Sequence, residues 1–128
     1  MKILLDTHAF LWLITDNKKL SHKAREEFLN EENLFFFSAA SLWEMAIKTS
    51  LGKLELMPDW PEAIREEIAV NSIKWLPIEM EHCFRIRSLT FHHRDPFDRL
   101  LIAQALCENM ALMSCDSCFS NYHVDLVW

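Results

Sequence analysis

A chain of 128 residues, 51% hydrophobic and 25% charged, has the size and composition of one ordered domain spanning residues 1–128. No apolar run reaches the roughly 18 residues of a membrane span, and Met1-Lys2 runs straight into a strand-like segment with no room for a leader, so a cytoplasmic protein is expected. A net charge of −6 argues against a basic nucleic-acid surface, although acids neutralised by cations could still meet nucleic acid, and a single glycine, Gly52, excludes the P-loop and the dinucleotide fingerprint, hence a nucleotide cofactor.

Ile3-Leu4-Leu5 is a short unbroken apolar run, the pattern of a strand buried on both faces of a parallel sheet, and it stops at Asp6-Thr7-His8. His8–Ile14 reads as a short apolar helix, followed by the polar turn Asp16–Lys19. Ser21 is the expected N-cap of a second helix with Ala24 and Phe28 turned inward and Leu29 as a further candidate for that stripe. Leu34–Phe37 is the second strand, and Ser38–Ser41 leads into a helix ending near Ser50, with Gly52 placed for a left-handed cap. Asp59 is the expected cap of the next helix, which has Pro61 and Glu62 in its first turn and Ile64, Ile68 and Ala69 as its apolar face.

Ile73–Leu76 is the third strand, stopped by Pro77. Glu79–Leu89 reads as a helix with Cys83, Phe84 and Ile86 inward. Asp95-Pro96 opens the longest and most apolar helix, to about Glu108, and two short strands follow at Ala111–Ser114 and Val124–Val127. Strands alternating with helices imply right-handed βαβ units and a parallel sheet of four to five strands between two helix layers.

In such a sheet the strand-to-helix junctions share one edge, where ligands bind. Asp6, Glu44, Asp98 and Asp116 all fall at these junctions or in the early turns beyond them. Four carboxylates at one edge repel one another, and the usual resolution is a hard divalent cation, Mg²⁺ or Mn²⁺, of the kind that serves phosphate substrates. Each acid also has a structural reading. Glu44 fits a capping box with Ser41, Asp98 suits a helix dipole, and Asp116 suits a turn. Asp6 is hardest to dismiss, because a charge ending a buried strand needs a partner.

Leu4–His8, Ser41–Lys48, His93–Ala105 and Ser114–Asp116 together resemble the successive motifs of PIN-domain nucleases, and most resemble VapC-like toxins of bacterial toxin–antitoxin pairs. The resemblance implies a three-layer α/β/α fold with strand order 3-2-1-4-5. It also implies a Mg²⁺- or Mn²⁺-dependent endoribonuclease that acts on RNA and pairs with a cognate antitoxin. On this chain the acidic quartet falls on Asp6, Glu44, Asp98 and Asp116, with Thr7 and Ser114 as supporting hydroxyls. Asp6, Asp98 and Asp116 are the expected metal ligands, with Glu44 as ligand or orienter of water. Lys48, Arg94 and Arg99 are candidate phosphate contacts; surface position or pairing with nearby acids is their alternative.

Two rival readings stand beside this one. Cys115-Asp116-Ser117-Cys118 is a CxxC after a strand, which suits a thiol–disulfide module, and a non-catalytic PIN-like scaffold would bind a partner only. The four cysteines, Cys83, Cys107, Cys115 and Cys118, read as reduced core thiols. His8, His92 and His93 are weaker metal candidates, since imidazole favours transition metals, and His93 is expected to pack or hydrogen-bond beneath its loop. Whatever part of Phe10-Leu11-Trp12-Leu13 is exposed is the expected homodimer or partner surface.

Overall fold

A computed structural model describes all 128 residues. Strand β1 (Lys2–Leu5) leads into α1 (Thr7–Ile14) and α2 (His22–Leu29), then β2 (Leu34–Ser38), α3 (Ala39–Ser50), α4 (Trp60–Val70), β3 (Lys74–Leu76), α5 (Met80–Ile86), α6 (Pro96–Glu108), β4 (Ala111–Met113), a 3₁₀ turn (Ser117–Asn121) and β5 (Leu126–Val127). The five strands form one sheet in the order 3-2-1-4-5, and every pairing is parallel. The expected α/β/α architecture and strand order are therefore present, with the opening strand in the centre.

Alternation along the inner strands builds two cores. Ile3, Leu5, Phe35, Phe37, Ala111 and Met113 face one side, where α1, α2 and α4 cover them with Ala9, Phe10, Ala24 and Ile64. Leu4, Phe36 and Leu112 face the other side, under α6, α5 and the 3₁₀ turn, whose Leu101, Ile102, Ala105, Ile86 and Phe119 pack there. Both faces of β1 are thus apolar because both are covered. Helix ends follow local chemistry. The Ser21 hydroxyl accepts from the Ala24 N–H at 3.0 Å, and Asp95 caps α6. Gly52 takes φ +71° just beyond α3, the left-handed cap that its position predicts.

Several local expectations need correction. Helix α3 starts three residues earlier than a Ser41 cap requires: Ser38 is its cap, and the Ser41 hydroxyl is buried without a partner. The capping-box reading of Glu44 therefore falls. In α5, Cys83 and Phe84 are exposed, and the buried residue is His82, bonded through Nε2 to Glu108 at 2.8 Å. Ala69 and Leu29 are exposed too, and Asp59 makes no side-chain cap bond. Cys83, Cys107 and Cys115 lie at the surface and Cys118 is half-buried, so the thiols are free but are not core groups. Phe10 is buried, while Leu11, Trp12 and Leu13 pack against the first core and stay half-buried, with Leu11 lining an apolar groove beside α4. No helix is long and apolar enough to cross a membrane.

A buried polar strut ties the second helix layer to the sheet. Gln104 on α6 accepts from the Ser38 hydroxyl at 2.5 Å and donates to the Pro77 carbonyl at 3.2 Å. Gln104→Ala orphans both partners in a dry interior, where each lost partner costs about 1–3 kcal/mol. Urea denaturation is expected to show a loss of roughly 2–4 kcal/mol, with the m-value unchanged.

Candidate functional site

Asp6 is fixed by the two elements that it joins. Its backbone N–H still belongs to the sheet, donating to the Met113 carbonyl at 3.1 Å, while its Oδ1 accepts from the Ala9 N–H at 2.7 Å and caps α1. The carboxylate is left only 6% exposed. Thr7, the next residue, donates its hydroxyl to Glu44 Oε1 at 2.6 Å. Glu44 is buried on the second turn of α3, and its other oxygen pairs with Lys48 one turn further on, at 2.5 Å.

Asp116 begins the 3₁₀ turn, accepting from the Cys118 N–H at 2.9 Å. Its own N–H donates to the Ser114 hydroxyl at 3.0 Å, and that hydroxyl lies close enough to the Asp6 carboxyl to lower its pKa. Asp98 stands in the first turn of α6, after the Asp95 cap. His93 Nε2 lies 3.0 Å from Asp98 Oδ2 and 3.0 Å from Asp116 Oδ2. Polar contacts therefore run from Asp6 through Ser114, Asp116 and His93 to Asp98. A second set, Thr7–Glu44–Lys48, adjoins this one through the backbone of Asp6 and Thr7. The structure brings together all four acids of the sequence reading, along with both supporting hydroxyls.

Electrostatics follow from crowding and burial. Burial drives the Asp6 carboxyl above its usual range, against the bonds from Ser114 and Ala9. Asp98 is pushed to about 7, first by burial and then by the charge of Asp95, with Glu44 and Asp6 adding to it. Burial also raises Asp116, but the Cys118 N–H and His93 outweigh it and hold that carboxyl below its usual value. The Lys48 ammonium is held above its normal range, chiefly by its bond to Glu44. An all-oxygen donor set, short of positive charge and fixed by backbone bonds, suits a hard divalent cation.

The basic residues divide. Lys48 reaches the site but is committed to Glu44, and Arg94 is exposed on the preceding loop. Arg99 turns away from the acids. It is buried, it donates to the carbonyls of Thr90 and Ile86 and to the Tyr122 hydroxyl at 3.2–3.4 Å, and it lies over the Phe91 ring. Arg99 therefore braces the loop before α6 instead of facing a phosphate. The CxxC thiols sit in the wrong field for a redox pair. Cys115 is raised by burial and then by Asp6, and Cys118 by its bond to Asp116, whereas a reactive pair needs a stabilised thiolate.

Sequence reading missed the His93 bridge and the Tyr122 hydroxyl, which accepts the N–H groups of His92 and His93 at 3.0 Å. Only the spacing of His93, five residues before Asp98, hinted at the first. None of the cavities is lined by the four acids. Two apolar grooves of about 230 and 430 Å³ flank α4, one along Leu11, Ile14 and Leu56, the other along Leu42, Ile68 and Trp75.

The family model for the PIN domain matches residues 3–124 of the chain. No curated protein sequence matches it. Among solved structures, the fold resembles a chain of VapBC2 from Rickettsia felis bound to a promoter DNA fragment, with a TM-score of 0.73 at 16% identity over 98% of this chain and 97% of that one. DNA-bound VapBC from Salmonella typhimurium gives 0.71 at 18% identity over 98% and 96%. A toxin–antitoxin complex from Klebsiella pneumoniae gives 0.59 at 16% over 94% and 92%.

The raised carboxyls set the pH dependence of stability without added metal. An acid whose folded pKa exceeds its unfolded value favours folding below the unfolded value, and that advantage disappears as pH climbs through the folded one. For Asp98 the window runs from 3.8 to about 7 and is worth at most roughly 4 kcal/mol. Metal-free protein is expected to melt at a lower temperature at pH 8 than at pH 5, and Asp98→Asn is expected to flatten that slope. A flat slope in the unaltered protein would contradict the electrostatic account.

Proposed function

The chain belongs to the PIN-domain family, and from that membership we propose that it is a Mg²⁺- or Mn²⁺-dependent endoribonuclease, the toxin of a toxin–antitoxin pair acting as a single-domain protein in the cytoplasm. The observation that carries the reading is the crowding of the acids at the end of the central strand: Asp6 and Glu44 both raise the Asp98 carboxyl, Glu44 raises Asp6, and His93 lies 3.0 Å from both Asp98 and Asp116. So much buried negative charge is costly to maintain unless a cation or a proton offsets it.

Asp6, Asp98 and Asp116 would hold the ion, and Glu44 would serve as ligand or as orienter of the attacking water. When bound, a divalent ion stabilises charge on the phosphate oxygens and makes water a better nucleophile. The remaining work belongs to the chain. The Ala9 N–H and the Ser114 hydroxyl hold Asp6 still, and Thr7 and Lys48 fix the rotamer of Glu44. Glu44 would thereby offer an acceptor for a proton of the attacking water. The new P–O bond forms as P–O3′ breaks, and the proton passes to O3′, leaving 3′-hydroxyl and 5′-phosphate ends. Arg94, which is exposed, would be the cation available to the RNA backbone, and Lys48 would reach it only from its pairing with Glu44.

The antitoxin reading is supported by the complexes in which similar folds occur and by the apolar grooves along α4. An amphipathic segment of a separate small protein fits such grooves. A homodimer is proposed as well. Light scattering of the isolated chain is expected to give twice the 15.2 kDa of one copy; a strict monomer at micromolar concentration would count against it.

Catalysis has a direct test. RNA incubated with the chain is expected to be cut with Mg²⁺ or Mn²⁺ and spared with chelator, and Asp6→Asn is expected to lose at least about 100-fold in rate, the scale set by loss of an electrostatic catalytic group. Undiminished cutting with chelator, or by the variant, would remove the proposal. Metal binding without any cutting would favour the non-catalytic scaffold.

A further inference from the structure

His93 is built into the site from several sides. The Tyr122 hydroxyl accepts its backbone N–H at 3.0 Å, and its ring lies beside Phe119 with centroids 5.7 Å apart. Its Nδ1 accepts the Asp95 N–H at 3.1 Å, and that bond fixes the tautomer. A nitrogen that accepts a hydrogen bond carries no proton, so in the neutral ring the proton is on Nε2. That N–H meets Asp116 Oδ2 at 3.0 Å, and Asp98 Oδ2 lies against the same nitrogen, also at 3.0 Å.

His93, Asp116 and Cys118 also place a nitrogen, an oxygen and a sulfur within 4.8 Å of one another, a donor set that resembles a zinc site. The tautomer opposes that reading. To ligate through Nε2 the ring would have to move its proton to Nδ1, directly against the Asp95 N–H, and give up that bond.

We infer that His93 is a positioning residue, not a metal ligand: its imidazole, bonded through Nε2–H to Asp116 and packed against the Asp98 carboxylate, sets the spacing at which the two acids receive a divalent cation. The two acids come from α6 and from the 3₁₀ turn, and no other hydrogen bond joins them directly. The imidazole takes up Asp116 Oδ2 and lies against Asp98 Oδ2, while Asp116 Oδ1 accepts from the Cys118 N–H, so the two carboxylates are held from more than one side. Outer groups that orient metal-binding carboxylates typically account for about 10–100-fold in metal affinity. The inference rests on the nuclease reading for the identity of the ion, but its test does not depend on RNA cleavage.

The test compares wild-type protein, His93→Ala and His93→Gln by Mn²⁺ titration followed by electron paramagnetic resonance. His93→Ala is expected to bind Mn²⁺ at least about tenfold more weakly. His93→Gln, whose amide N–H can occupy the place of Nε2–H, is expected to recover most of that loss. Two-bond ¹H–¹⁵N spectra of the wild-type protein are expected to show His93 protonated at Nε2 both before and after Mg²⁺ is added, a readout that does not depend on any variant folding. Loss of the Nε2 proton on Mg²⁺ binding, or equal Mn²⁺ affinity in all three proteins, would overturn the inference while leaving the nuclease reading intact. Wild-type protein that binds no Mn²⁺ would overturn both.

Discussion

The molecule is organised by the cost of ending a doubly covered strand in a charge. Ile3, Leu4 and Leu5 are wholly buried, and the next side chain is a carboxylate that the fold also buries. Desolvating such a group costs several kcal/mol unless it is hydrogen-bonded or paired. Part of that cost is met locally, by the first turn of α1 and by Ser114. The rest is not met, and three further acids are brought to the same edge. Sites that keep unresolved repulsion of this kind tend to be sites of chemistry, because selection for stability alone would remove it.

Parallel topology is the reason the acids meet. Each crossover returns the chain to the start of the next strand, so every strand-to-helix junction falls on one edge. Residues 6, 44, 98 and 116 are then neighbours without any local signal that binds them. The surrounding braces keep that edge rigid. Arg99 and Tyr122 pin the loop that carries His93, and Gln104 ties α6 to β2 and to the residue after β3. A buried arginine in the key helix is therefore best understood as scaffolding. Its neighbour Asp98 points to the acids because adjacent helical positions lie about 100° apart.

Much of this was readable from the chain itself. Two-sided apolar strands, Ser21 and Asp95 caps and a lone Gly52 after α3 are short-range signals, and they place every strand and α-helix to within a few residues, though not the 3₁₀ turn after β4. The acids could be named because each sits at a junction that topology makes equivalent. What failed depends on packing. Nothing local says that α5 turns His82 inward and leaves Phe84 out; that choice is made by Glu108, 26 residues away, which offers His82 a hydrogen-bond partner. Ser41 and Glu44 have the spacing of a capping box, yet Ser38 starts the helix first. Lys48 and Arg99 look alike as basic residues near the acids. Only the fold shows one paired with Glu44 and the other buried against carbonyls.

Charge balance links these observations. Four carboxylates face one ammonium, that of Lys48, and this ammonium is already matched to Glu44. Three acids remain, met by backbone N–H groups and by the imidazole of His93. Asp116 keeps its charge because those donors converge on it. Asp98, more crowded and closer to Asp95, retains a proton up to about pH 7. That proton fills, in part, the role a divalent ion would take, so the two compete for one excess of negative charge. Binding of the ion would then release the proton, and the site would become fully charged only when the cation that makes it useful is present.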